Sequence, residues 1–101
     1  MTESGMADEV RDNPTQQRFE LEVEGQIAAA YYSLAPGVIT LTHTEVPDAM
    51  AGRGIGSRLA RGALDAVRAR GLQVVAQCEF IAGYIAKHAE YQDLRRSHQV
   101  R

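Results

Sequence analysis

Residues 51–57 read AGRGIGS, with Gly52, Gly54 and Gly56 at alternate positions and an arginine-rich amphipathic run directly after them. Glycine lets the backbone turn with no Cβ in the way, so its amides can approach a ligand closely. The first N–H groups of a helix have no intrahelical partner, and the helix dipole adds positive character at that end. A glycine loop feeding a helix is therefore an anion-binding arrangement, and Arg53 or Arg58 would add charge to it. The alternative is a tight strand-to-helix turn followed by a solvated arginine face. Two nucleotide loops are excluded by spacing. A dinucleotide fingerprint needs Gly or Ala three residues after Gly56, where Leu59 stands, and a nucleotide P-loop needs Gly-Lys-Ser/Thr, which the chain lacks.

Other chemistry-bearing types lie on either side of this loop. His43 and Glu45 fall two apart in VITLTHTEV, and a lone histidine among apolar neighbours is ordinarily a packing residue. Tyr84 shares a helical face with Ile81 and Ile85, where it fills the core or offers a hydroxyl. Cys78 is the sole cysteine, which rules out an intramolecular disulfide and a multi-cysteine zinc site. Its ordinary role is that of a buried, inert thiol. No metal site is expected.

The elements that position these residues follow from periodicity. Phe19, Leu21 and Val23 alternate with Glu20, Glu22 and Glu24, a half-buried strand with a solvated glutamate face. Gly25 turns the chain into a second strand, Gln26 to Leu34, and Ala35-Pro36-Gly37 into a third, Val38 to Val46. That third strand puts Ile39, Leu41, His43 and Glu45 on one face and Thr40, Thr42 and Thr44 on the other, and Pro47 stops it. From Ile55 the period becomes helical: Ile55, Leu59, Ala60, Ala63, Leu64 and Val67 form a stripe, with Gly71 as terminator. Leu72 to Cys78 reads as a fourth strand and Phe80 to His88 as a second helix. The order is βββαβα, an α/β (α+β) fold with a mostly antiparallel sheet of about four strands and two helices.

At 101 residues the chain holds one domain with a modest core. Residues 1–16 contain Glu3, Asp8, Glu9 and Asp12 with almost no large apolar side chains, and are expected to be a disordered tail before a single domain at 17–101. No signal peptide and no bilayer-length apolar run is seen, which points to the cytoplasm. The net charge is −2, yet five arginines (Arg53, Arg58, Arg61, Arg68, Arg70) meet a single acid, Asp65, between positions 53 and 70. Such a local basic segment in an acidic chain fits one anionic ligand, and not a basic face laid on nucleic acid. There are no internal repeats.

The glycine stretch resembles the pyrophosphate loop of the GNAT superfamily, the acyl-CoA-dependent N-acyltransferases, whose pattern is Gln/Arg-x-x-Gly-x-Gly/Ala; Gly54 and Gly56 match it and Ala51 departs from it. LTHTEVP, the glycine loop, RLARGALDAVRARGLQVV, Cys78-Glu79-Phe80 and YIAKHAEYQDL extend the resemblance over roughly residues 17–94, to a small, truncated branch of the superfamily. The resemblance implies a minimal GNAT-like fold and an N-acetyltransferase-like activity with acetyl-CoA or coenzyme A as cofactor. It implies cofactor contacts from Val46, Gly52, Arg53, Gly54, Ile55, Gly56, Ser57, Arg58 and Phe80. Among catalytic candidates it implies Glu45 as base and Tyr84 as acid for the departing thiolate. Cys78 is left as acyl-enzyme nucleophile, disulfide partner of coenzyme A or wall, with His43 as the group that would activate it from the neighbouring strand. The alternative is a coenzyme A-binding or interaction module without turnover. Full-length members carry helices between the first two strands, whereas only Gly25 separates them here. The amine acceptor is therefore expected to be a macromolecule that brings its own surface, or else a second copy of the chain is expected to complete the cleft as a homodimer. Nucleic acid and membrane are not expected partners.

Overall fold

Three short turns fold the first half of the chain into a meander. In the computed structural model, which describes residues 10–50 and 52–95, β1 (Arg11–Asn13), β2 (Arg18–Val23), β3 (Gln26–Ala35) and β4 (Val38–Glu45) pair antiparallel in sequence order. A parallel partner needs a crossover. Helix α1 (Ile55–Ala69) supplies it, bringing β5 (Gln73–Ala76) beside β4, and α2 (Glu79–Lys87) and a 3-10 turn at Ala89–Leu94 complete the described chain.

The helical stripe is buried as its period demands: Ile55, Leu59, Ala60, Ala63, Leu64 and Val67 all face the sheet. They meet Phe19, Leu21, Ala28, Ala30, Tyr32, Ile39, Leu41 and Val74, and α2 adds Ile81 and Ile85 to the same cluster. Truncating a fully buried leucine here, such as Leu64→Ala, would cost about 2–5 kcal/mol. The end of α1 is closed by Gly71 N–H to the Arg68 carbonyl (3.0 Å) and Leu72 N–H to the Val67 carbonyl (3.1 Å). Both helices share the core on one face of the sheet; the other face carries no helix among the described residues.

The sheet has five strands where sequence periodicity gave about four, because β1 lies inside the stretch expected to be a disordered tail. Composition cannot reveal what holds it, since the partners are distant. Asp12 accepts hydrogen bonds from the Tyr32 hydroxyl (2.6 Å) and from Arg70 (2.8 Å). Gly62 leaves room on α1 for the Val10 side chain, which a Cβ at that position would strike. Residues 1–9 lie outside the described residues. β5 is shorter than expected, since Gln77 and Cys78 both turn their N–H groups to the Leu41 carbonyl (3.0 Å each) and the ladder stops there.

The β3–β4 register is broken. Tyr32 pairs with Leu41 but Tyr31 pairs with His43, so Thr42 is an extra residue on β4, its hydroxyl donating to the Tyr31 carbonyl at 3.3 Å. A one-residue slip exchanges the two faces of everything beyond it. Thr44, opposite Ala30, therefore turns to the helix side, while His43 and Glu45 turn to the open face. Strict alternation had placed His43 and Glu45 with Ile39 and Leu41; the bulge reverses that. The open face also corrects the solvated glutamate stripe. Glu20 is only 7% exposed, bonded by Asn13 (2.9 Å) and Arg18 (2.6 Å).

Candidate functional site

The loop before α1 uses its glycines in two ways. Gly52 (φ 79) and Gly54 (φ 73) sit in the left-handed region, where a Cβ would meet no neighbour but would strain the backbone. Gly56 has ordinary helical backbone and is small for a different reason: a Cβ there would lie 2.8 Å from the Phe80 ring. The first helical bond runs from Arg58 N–H to the Gly54 carbonyl at 3.1 Å, and no side chain caps the helix. The Ile55, Gly56 and Ser57 amides are thus left without intrahelical acceptors. Ile55 offers only that amide, because its side chain is in the core. Arg53 forms a bidentate pair with Glu24 at 3.0 and 3.2 Å, tying the loop to the β2–β3 turn and drawing its guanidinium from the position expected of it. Arg58 is half-buried on the first turn of α1, and Ala51 lies outside the described residues.

The first turn of α1 opens on a groove of about 270 Å³ lined by Ser57, Glu79, Phe80, Gly83, Tyr84, Lys87 and His88. Helical spacing puts Phe80, Gly83, Tyr84 and Lys87 along one stripe of α2. Phe80 is 44% exposed, a large apolar surface presented to this groove. Tyr84 stacks on His88 with ring centroids 3.9 Å apart, and a His88 ring nitrogen lies 2.8 Å from the Tyr84 carbonyl. Burial raises the Tyr84 hydroxyl above its ordinary value, partly countered by Arg61. Gly83, Lys87 and His88 escaped sequence reading; the i+3 and i+7 spacing from Phe80 was the available signal for Gly83 and Lys87.

Where β4 and β5 stop pairing, Cys78 Sγ lies 3.1 Å from Thr44 Oγ1, on the helix side, with Val46 half-buried at the rim of the core. His43 and Glu45 lie on the other face, Nε2 to Oε2 at 3.0 Å, with their side chains 59% and 61% exposed. The four catalytic candidates are therefore split: Tyr84 lines the groove, Cys78 sits at the end of the strands, and His43 with Glu45 stands across the sheet. His43 is not placed to activate Cys78. Among the described residues no three His, Cys, Asp or Glu side chains gather as a metal site, and no helix is long and apolar enough to cross a membrane.

A family model of GCN5-related N-acetyltransferases matches residues 18–94. Protein NATD1 of Homo sapiens is 32% identical over 97 residues, covering 93% of this chain and 86% of its own. Protein NATD1 of Gallus gallus is 31% identical over 91 residues, covering 87% and 83%. A solution structure of a GCN5-like protein from Staphylococcus aureus, 24% identical, superposes with a TM-score of 0.67 over 93% of this chain and 96% of that one, and so shares its fold. Proteins of this fold family generally use acetyl-CoA. With the model matching nearly all of the described residues and the glycine-led crossover helix in its place, the chain belongs to the GCN5-related N-acetyltransferase family.

Proposed function

We propose that this chain is an acetyl-CoA-dependent N-acetyltransferase that holds the acyl carrier at the start of α1 and along the groove beside it. The observation that carries the reading is the uncapped first turn of α1, led by two left-handed glycines and opening on that groove. Three amides with no intrahelical acceptor and a helix dipole fit a diphosphate. Phe80 and Tyr84 offer apolar walls to the pantetheine arm, and Lys87 supplies a cation. Glu79 is the one carboxylate among the lining residues, and it disfavours phosphate beside itself.

Acetyl transfer requires the departing sulfur to gain a proton. Tyr84, kept protonated by burial and set in the groove, is the residue for that task. Cys78, bonded to Thr44 at the end of the strands and outside the groove lining, is not the nucleophile in this reading.

Acetyl-CoA is expected to raise the melting temperature, with a stabilisation of about 2.7 kcal/mol at a ligand concentration 100 times the dissociation constant. Thiol release on addition of an amine would accompany it. A protein that neither acetyl-CoA nor coenzyme A stabilises contradicts the reading.

A further inference from the structure

Helix α2 ends in a way that lays a second ring on Tyr84. At His88 the backbone leaves the helix (φ −131, ψ 93), and its N–H donates to the Ile85 carbonyl at 3.1 Å, one residue short of the helical acceptor. The Tyr84 carbonyl thereby loses its usual backbone donor. The His88 side chain folds back and takes that place, Nδ1–H donating to the Tyr84 carbonyl at 2.8 Å. A carbonyl only accepts, so the proton on Nδ1 is fixed by the partner. The same fold-back sets the imidazole flat against the phenol, with centroids 3.9 Å apart and planes 15° apart. Tyr91 also abuts that phenol at 6.0 Å between centroids, and its own hydroxyl is tied to Asp65 on α1 at 2.7 Å.

The four tyrosines are held differently. Tyr31 bonds its hydroxyl to Arg18, Tyr32 to Asp12 and Tyr91 to Asp65. Among the described residues nothing bonds the Tyr84 hydroxyl, which belongs to a half-buried side chain lining the groove. A half-buried tyrosine on a helix has more than one staggered well open to it, and packing of its ring faces selects one. Tyr84 is therefore fixed through its ring, and its hydroxyl is left for a ligand.

Resting on the reading above in which Tyr84 protonates the departing sulfur, we infer that His88 is a positioning residue for that step: its stacked imidazole, tethered to the Tyr84 carbonyl, holds the phenol with its hydroxyl in the groove. His88 neither gives nor takes a proton. The amine nitrogen forms the C–N bond to the acetyl carbon as the C–S bond breaks, and the Tyr84 hydroxyl gives its proton to sulfur. The phenolate recovers a proton from the new nitrogen by way of solvent, so the products are the amide and the free thiol.

The test uses the full chain, acetyl-CoA and propylamine, a small amine that asks for no acceptor pocket. N-propylacetamide is read by mass, and folding and acetyl-CoA binding by thermal shift. Tyr84→Phe should lower kcat by about 100-fold. His88→Gln keeps a donor for the Tyr84 carbonyl but loses the ring, and should lower kcat by about tenfold or more while acetyl-CoA still stabilises it. His88→Phe keeps a flat ring but loses the donor, and should retain most of the wild-type kcat despite a lower melting temperature. In the Tyr84→Phe background His88→Gln should cause no further loss, because it acts through the hydroxyl already removed. A residue that merely caps the helix would give the reverse order, with the Gln variant near wild type and the Phe variant impaired, and that order would overturn the inference. So would losses that add in the double variant. Wild-type kcat in Tyr84→Phe, no enzyme-dependent N-propylacetamide, or a wild-type protein that acetyl-CoA fails to stabilise would instead overturn the acetyl-transfer reading with Tyr84 as its acid, and this inference with it.

Discussion

The Phe80 ring occupies the space that a side chain on Gly56 would need, with Cζ 2.8 Å from where that Cβ would lie. Phe80 is 44% exposed and free to swing outward, so Gly56→Ala should cost little stability. Its gain in helix propensity, about 1 kcal/mol, offsets the crowding. The displaced ring would enter the groove, and acetyl-CoA should bind about tenfold more weakly, a loss of about 1.4 kcal/mol. Calorimetry on the folded variant checks this. Unchanged affinity would separate Phe80 from the ligand site.

High pH should release β1 from the sheet. Burial, followed by the hydrogen bond to Asp12, pushes the Tyr32 hydroxyl from 10.0 up to about 12. The folded state holds this proton more tightly than the unfolded one, so its stabilisation is full below pH 10 and is lost as pH rises toward 12. Tyr32→Phe should be less stable at neutral pH and should show a flatter decline above pH 10. Urea midpoints across that range measure it, and parallel declines would contradict it.

Glu20 predicts the opposite limb. Burial alone would raise its carboxyl, yet bonds from Asn13 and Arg18 prevail and hold it below the usual range. The folded pKa being depressed, its stabilisation is present above the ordinary carboxylate value and is lost as pH falls through the lowered one. Glu20→Gln should destabilise the protein at pH 7 by about 1–3 kcal/mol, the cost of leaving buried partners poorly satisfied. The variant should also be less sensitive to acid. An equal acid sensitivity in both proteins would place the titration elsewhere.

Much of this was legible in the chain because it is local. The strands Phe19–Val23 and Val38–Glu45, the α1 stripe and the Gly71 stop all follow from periodicity and glycine chemistry. Non-local causes were not legible. Thr42 is a threonine like its neighbours at 40 and 44, and nothing in its type announces an extra residue that carries His43 and Glu45 to the other face. Gly56 looked like a loop glycine because its need for space comes from Phe80, 24 positions later. β1 was missed for the same reason, its anchors being Tyr32, Gly62 and Arg70.

Cys78 should prove dispensable for transfer. Its contact is with Thr44, and His43, the base that would have activated it, stands across the sheet. Cys78→Ala is expected to keep most of its turnover, and wild type incubated with acetyl-CoA alone should gain no acetyl mass. Acetyl appearing on Cys78 at the rate of turnover, with ping-pong kinetics, would contradict this.

The central claim, that acetyl-CoA lies on the first turn of α1 and along the α2 groove, is tested most directly by a ¹⁵N-amide chemical-shift titration of the wild-type protein with acetyl-CoA. The largest changes are expected at the Ile55, Gly56 and Ser57 amides, with a second group from Phe80 to His88 and small changes along β1 and β2. Saturating acetyl-CoA that leaves those two groups unmoved, or that shifts only residues elsewhere, would contradict it.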